Sequence, residues 1–313
     1  MTMRRTVSPA ALALIAAVGC ENRAAETPPP ANPTSASAAV DSVMLDHFGA
    51  FERGDIATWS DILADDVFFT AAGPADVFDS RDSTRGRMER DVGRVKESGI
   101  QLTIRPLSHS TWLANHGRTA ATIYDFDYRI SYQEQNFSYR LRSAYLLEQD
   151  TGSWKVRAAQ YSRPIPYDTL FMALVQHRVP PAFTLPGHAP PASTNEVIQR
   201  FRADIGDISS ASLAGDVVVV SPGTILQGAT NARRELAQWL GPAGSATQIP
   251  HGVRAGLDAS GTVGWVATNL NVPIFAGPES AIAPMRALFV YRRIENGWEV
   301  VQASLSVGLR EGS

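Results

Sequence analysis

The chain has 313 residues with 28 Lys+Arg against 31 Asp+Glu, a formal charge of −3, and one cysteine. A mildly acidic balance offers no basic surface to a phosphate backbone, so no nucleic-acid partner is expected. One cysteine excludes a disulfide framework, and the six histidines show no metal-ligand spacing such as H-x-x-x-H, so neither a metal nor another cofactor is expected.

The chain opens MTMRRTVSPAALALIAAVGC. Arg4 and Arg5 precede an apolar run from Pro9 to Val18, the layout of a secretory signal peptide. The run falls short of the roughly 20 apolar residues that span a bilayer. Its end, Ala17-Val18-Gly19-Cys20, resembles the lipobox of bacterial lipoproteins, with alanine in the place of the usual leucine. The resemblance implies cleavage after residue 19 and a diacylglycerol on Cys20. The protein would then be lipid-anchored in the bacterial cell envelope, on the extracytoplasmic side, where two acyl chains hold stably. A secretory peptide with an incidental cysteine is the other reading. The lack of a second cysteine favours lipidation, since an exported free thiol is a liability. Glu21 points weakly to the inner membrane, and inner versus outer stays open. Without Arg4 and Arg5 the mature chain carries 26 basic and 31 acidic residues, a charge of −5. Residues 20–38, rich in Pro, Ala, Ser and Thr without large apolar side chains, are expected to be a disordered tether.

In the next stretch, VDSVMLDHFGAFER (40–53) has helical spacing of Val43, Leu45, His47, Phe48 and Phe51. A short helix over 56–63 and a strand over 66–71 follow. The segment 83–97 reads as a helix capped by Ser83. Strands are predicted over 101–112, 118–132 and 136–148, and a turn at Asp150-Thr151-Gly152 leads into a last strand, 154–162. Helices first and an antiparallel sheet afterwards make an α+β domain.

The remaining chain repeats this order. RGDIATWSDILADDVFFTAAG (53–73) is answered by IGDISSASLAGDVVVVSPG (205–223), and GSWKVRAAQYS (152–162) by NGWEVVQASLS (296–306). A divergent duplication follows: a first domain over 39–165, a Pro-rich linker over 166–192 and a second domain over 193–313. Inside the linker, Leu170, Phe171, Met172, Leu174 and Val175 form a short apolar helix that docks on one domain.

On these motifs the chain resembles the nuclear transport factor 2-like superfamily, in particular its SnoaL-like branch. The resemblance implies two cones, each a curved antiparallel sheet wrapped around N-terminal helices, with a pocket at the wide end. Superfamily members include isomerases, cyclases and dehydratases with an acid–base residue deep in the cone, and also modules with no chemistry. Fold alone does not choose between them.

Strand alternation puts Tyr124, Phe126, Tyr128 and Ile130 on one face and Asp125, Asp127 and Arg129 on the other. The following strands add Phe137, Tyr139, Leu141 and Tyr145 against Arg140 and Arg142, then Trp154, Val156 and Ala158 against Lys155 and Arg157. The charged face reads as a cross-strand ladder rather than a catalytic carboxylate pair. His47, Tyr124, Tyr128, Tyr139 and Tyr145 are the ligand-pocket candidates, with His47 the best placed base; no catalytic residue is assigned. Many SnoaL-like sequences carry a histidine just before the closing Tyr-Ser; Gln160 and Ala303 hold that place here, against an acid–base role. In the second copy Met285, Ala287, Phe289 and Tyr291 oppose Leu288 and Val290, while Val301, Ala303, Leu305 and Val307 oppose Trp298 and Val300. A sheet apolar on both faces needs cover on both, and the first domain is the expected cover, as an intramolecular pseudo-dimer. The leading expectation is a non-catalytic binding or assembly module for a small apolar ligand or a protein. The alternative is an isomerase, cyclase or dehydratase active in the first cone.

Overall fold

The computed structural model describes residues 33–73, 76–176, 185, 189–241, 249, 252–276 and 279–308. The expected signal peptide, Cys20 and most of the expected tether lie outside the described residues. Helix α1 (Pro33–Arg53) starts inside the expected tether, so residues 33–38 are helical. Their backbone continues the turn that buries Ala36 and Val40. Val40, Met44 and Phe48, spaced four apart, form the buried stripe of α1. Gly54, at φ +68°, turns the chain into α2 (Ile56–Asp61), which Asp55 caps by accepting from the Thr58 N–H at 3.1 Å.

Next come β1 (Leu63–Thr70), β2 (Val77–Phe78) and α3 (Arg81–Glu97). The cap of α3 is Ser80, which accepts from the Ser83 N–H at 3.2 Å; Ser83, the expected cap, sits in the first turn as donor. The long strands are β3 (Gln101–Ala114), β4 (Thr119–Tyr132), β5 (Gln135–Asp150) and β6 (Ser153–Ser162). Thr151 and Gly152, both at positive φ, make the two-residue turn between β5 and β6. The sheet runs β2-β1-β6-β5-β4-β3, all antiparallel except β1 beside β6.

The linker holds α4 (Tyr167–Val175). The second copy follows as α5 (Asn195–Gly206), β7 (Leu213–Val220), β8 (Ile225–Gln227), α6 (Ala229–Leu240), β9 (Val253–Leu257), β10 (Val263–Ala276), β11 (Glu279–Ile294) and β12 (Gly297–Val307). Its sheet order, β8-β7-β12-β11-β10-β9, is the same, and neither sheet closes into a barrel. β4 and β5 begin and end 144 residues before β10 and β11 (Thr119 to Val263, Asp150 to Ile294), and β6 begins 144 before β12.

Both closing strands carry a bulge. Leu147 pairs with Val156 but Leu146 with Ala158, leaving Arg157 over; Tyr291 pairs with Val300 but Val290 with Gln302, leaving Val301 over. An extra residue flips the alternation beyond it. Ala158 therefore does not continue the inner face of Trp154 and Val156; Ala159 and Tyr161 do. In the second copy, Trp298 and Val300 do not oppose Ala303, Leu305 and Val307 but share their face. The bulge pairs Tyr291 and Phe289, two residues of one face, with Val300 and Ala303.

The inner face of the first sheet and α1–α3 enclose one core, with Phe48, Trp59, Phe69, Tyr124, Phe126 and Tyr145 at its centre. Its outer face packs on the second sheet: Ala121, Ile123, Ala144, Leu146 and Ala158 join the second domain's core, and Phe68 stacks on Trp265 at 6.1 Å.

Two sets of polar contacts tie these faces. The Gln160 amide donates to the Ser304 hydroxyl at 3.0 Å and to its carbonyl at 3.2 Å. Ser304, not Ala303, is the counterpart of Gln160, because Trp154 and Trp298 are 144 apart. Arg142 and Arg286 are counterparts as well, pairing with Ser162 and Ser306. Arg142 donates to the carbonyls of Ser221 at 2.9 Å and Gly223 at 3.4 Å, in the turn after β7. Arg286 donates to the carbonyls of Ala71 and Gly73, in the turn after β1. Each arginine thus clasps the same turn of the opposite domain, the reciprocity of a two-fold interface. Burial lowers both guanidinium pKa values, Arg286 to about 10, and both stay charged at neutral pH.

The expected cross-strand ladder of β4 and β5 is reduced to one ion pair, because Arg142 turns to the second domain and Arg129 pairs within its own strand. Arg140 pairs with Asp125, and Arg129 with Asp127 at 2.7 Å. Hydrogen bonds from Ser138 and Arg129 hold the Asp127 carboxyl below its usual range.

Candidate functional site

The first domain contains a cavity of about 610 Å³ between its helices and the inner face of its sheet. Because Gly54 folds α2 back on α1, Trp59 lies 5.8 Å from Phe51, and the two rings form the helix-side wall; Phe69 of β1 meets Trp59 at 5.8 Å from the sheet. Met88 of α3 and Phe48 complete the helix side, while Phe126, Tyr128, Tyr139 and Tyr161 form the sheet side. The turn Ala71-Ala72-Gly73, held from behind by Arg286, is part of the lining.

The polar groups are few and sorted. At the rim, Arg87 pairs with Asp91 at 2.6 Å and Asp76 at 3.4 Å, and Arg94 lies 3.8 Å from Asp91. On the wall, the Arg163 guanidinium covers the Tyr139 ring at 4.7 Å, and the Tyr139 and Tyr128 rings are 5.1 Å apart. Among the described residues no carboxylate pairs with Arg163, and its Nε is buried without a hydrogen-bond partner. Burial raises the phenol pKa values of Tyr128, Tyr161 and Tyr145, so all three are neutral at neutral pH.

Of the expected pocket residues, Tyr128 and Tyr139 line the cavity. Tyr145 lies one layer beneath and bonds through its hydroxyl to that of Tyr161, which reaches the wall in its place. Tyr124 points elsewhere: its hydroxyl donates to Asp41 at 3.2 Å, and its ring stacks on His109, 3.2 Å from the same carboxylate. His47 is behind the wall. Its Nδ1 donates to the Trp59 carbonyl at 2.9 Å, its ring stacks on Trp59 at 5.1 Å, and Nε2 has no partner among the described residues. Burial lowers its pKa to about 4, so the ring is neutral. His116 occupies a turn at φ +54°, and His177, His188 and His251 lie outside the described residues. Gln160 faces the second domain, so its departure from histidine does not touch the cavity. Sequence reasoning missed Trp59, Tyr161 and Arg163. The bulge at Arg157 reverses the side on which Tyr161 falls, and Arg163 follows the end of the strand.

The 144-residue offset shows what the second domain has instead. Tyr128, Tyr139, Tyr161 and Arg163 correspond to Val272, Ala283, Leu305 and Val307, all buried. Helix α4 lies against β10 and β11 and contributes Leu170, Phe171 and Leu174 to the same core. The Tyr167 hydroxyl fixes it, donating to the Phe275 carbonyl at 3.2 Å and accepting from its N–H at 3.0 Å. The linker helix thus covers the inner sheet face that stays open in the first domain. A buried carboxyl, Asp204, accepts from Arg200 at 2.5 Å inside the second domain, and burial raises its pKa. A larger cleft of about 930 Å³ lies between the domains, but its charges tie the structure together. Arg157 bridges Glu148 at 3.0 Å and Asp66 at 3.1 Å, Glu148 accepts from the Ala259 N–H at 2.6 Å, and Asp258 accepts from Thr119 at 3.0 Å.

A SnoaL-like domain model matches residues 40–167 and again 195–310. No curated protein matches the chain. Similar solved structures include a candidate scytalone dehydratase from Novosphingobium aromaticivorans, at 12% identity and TM-score 0.37, covering 42% of this chain and 89% of its own. A candidate dehydratase of the NTF2-like family from Streptomyces avermitilis has 12% identity and TM-score 0.38, covering 43% and 100%. The protein Aln2 from another Streptomyces strain has 15% identity and TM-score 0.38, covering 48% and 100%. Identities of this size carry nothing about ligand or reaction.

Proposed function

The chain belongs to the SnoaL-like domain family, in two copies, and we propose that it is a small-molecule binding protein. The ligand enters the cavity of the first domain, and the second domain serves as a built-in structural partner. The observation that carries this reading is the contrast between the copies: the same sheet face bounds an aromatic cavity of about 610 Å³ in one and is buried with α4 in the other. A cavity of this size and lining suits a molecule of one to three rings.

The alternative, isomerase, cyclase or dehydratase chemistry, requires an acid–base group beside the reacting atoms. Binding is favoured because the wall's phenols stay protonated and His47 turns away behind Trp59. The rim carboxylates are engaged by Arg87 and Arg94. Titration calorimetry with 2-naphthoate as probe tests the reading. Saturable binding is expected in the wild type and its loss in Met88→Trp, which fills the cavity from α3. Unchanged binding in Met88→Trp would move the ligand elsewhere.

The site would operate outside the cytoplasm, on a chain anchored through Cys20. In cells, Cys20→Ser should move the protein from the detergent phase to the aqueous phase on Triton X-114 partition; unchanged partition refutes the anchor.

A further inference from the structure

We propose that the ligand of the first domain carries an acidic group, a carboxylate or similar anion on an aromatic or apolar body, and that Arg163 is the residue that reads it. The proposal rests on the binding reading above and names its ligand class.

The argument begins with charge. The cavity lining holds three arginines, Arg87, Arg94 and Arg163, and two carboxylates, Asp76 and Asp91. Both carboxylates sit at the rim against Arg87 and Arg94. Behind the lip, Arg286 adds a further buried cation close enough to Asp76 for attraction between them to oppose the fall in its pKa. The cavity is therefore net positive, and the surplus charge is at the wall. Arg163 is half-buried, and its charge meets no carboxylate among the described residues. The Tyr139 ring answers it in part, as a cation–π partner at 4.7 Å.

The geometry fits an anion. The guanidinium carbon lies 4.7 Å from the centre of the Tyr139 ring, and the planar fork of N–H donors suits a planar acceptor. Tyr128 is a neighbour close enough for the Arg163 charge to oppose the rise in its phenol pKa, and its protonated hydroxyl can donate to the same acceptor. The aromatic residues Trp59, Phe69 and Phe126 then face the body of the ligand.

The internal repeat gives a second observation. Where α4 covers the sheet face, the counterpart of Arg163 is Val307 and that of Tyr128 is Val272. The polar pair is present in the copy with the cavity and absent in the copy without one.

The test compares 2-naphthoate with 2-naphthamide, its neutral isostere, on the full chain. Calorimetric titrations use the wild type, Arg163→Gln, Arg163→Lys and, as a control outside the cavity lining, Arg90→Gln on the exposed side of α3. The acid should bind the wild type about 10- to 100-fold more tightly than the amide, as expected for a charge-assisted pair shielded from water. Arg163→Gln should bring the two probes within about threefold. Arg163→Lys should keep part of the preference, and Arg90→Gln nearly all of it. Equal binding of acid and amide to the wild type overturns the inference but leaves the binding reading standing. So does a preference that survives Arg163→Gln. Failure of both probes to bind the wild type overturns the binding reading itself. If circular dichroism shows Arg163→Gln to be misfolded, the wild-type comparison and Arg163→Lys still decide.

Discussion

Truncating Arg286 to alanine should weaken both the domain interface and the first domain's cavity, through one pair of hydrogen bonds. Its guanidinium, only 3% exposed, donates to the carbonyls of Ala71 and Gly73. A hydrogen bond involving a charged group contributes about 1.5–3 kcal/mol net, and removing this donor strands two acceptors, so a loss of about 3–5 kcal/mol follows. For a chain longer than 250 residues each kcal/mol moves Tm by about 2 °C, so a fall of about 5–10 °C is expected in a thermal scan. The mirror variant Arg142→Ala separates the two consequences. It removes the equivalent clasp, but on a turn whose Ser221 hydroxyl bonds Glu235 at 2.5 Å, itself held by the Trp239 indole at 2.7 Å. Below the transitions, where both variants are folded, only Arg286→Ala should lose 2-naphthoate affinity, by about tenfold, a change of about 1.4 kcal/mol. Arg286→Lys, a single point donor, should recover part of the stability but not the two-point grip. A Tm fall below about 2 °C, or equal loss of affinity in both mirror variants, would refute the reasoning.

Two further outcomes follow from the same contacts. His47 has a folded pKa near 4 against an ordinary value of 6.5, so between these pH values the unfolded chain binds the extra proton. Stability contributed by the neutral ring is complete above pH 6.5 and is lost as pH falls toward 4, by about 3 kcal/mol at most. Urea unfolding over that window should show this slope flattened in His47→Gln, and an unchanged slope would remove His47 as its source. At Gly256 a Cβ would stand 2.4 Å from Trp265 Nε1, so Gly256→Ala must displace the ring that stacks on Phe68 across the interface. A cost of about 1–3 kcal/mol is expected by urea titration, and a neutral result would mean that Trp265 has room to turn.

Much of the architecture was legible because it is written in periodicity and in repetition. The Gly54-Asp55-Ile56 turn has its echo at Gly206, and Trp154 has its echo at Trp298. The aromatic alternation of β4 and β5 fixed which face meets α1. What periodicity could not carry was the residue that breaks it. The extra Arg157 looks like any other strand position, yet it sends Tyr161 inward and Gln160 outward, and so exchanges the two roles that alternation would give them. The site suffered for a related reason. His47 and Tyr124 have the composition of pocket residues, but a neighbour captures each polar atom: the Trp59 carbonyl for one and Asp41 for the other. Such capture depends on partners 12 and 83 positions away in the sequence. Arg142 and Arg286 were readable as charges on a strand but not as clasps, because their acceptors are backbone carbonyls of the other copy.

The pairing of an open first domain with one covered by α4 sets the loading of the molecule. Two identical subunits joined face to face would carry two equal cavities, and any change to one would be made in both. Joining the copies in one polypeptide releases that constraint, so that Arg163 and Val307 can differ across the same axis. On the binding reading, the first domain's cavity would take up one ligand per chain, half the complement of the symmetric pair the protein is built like.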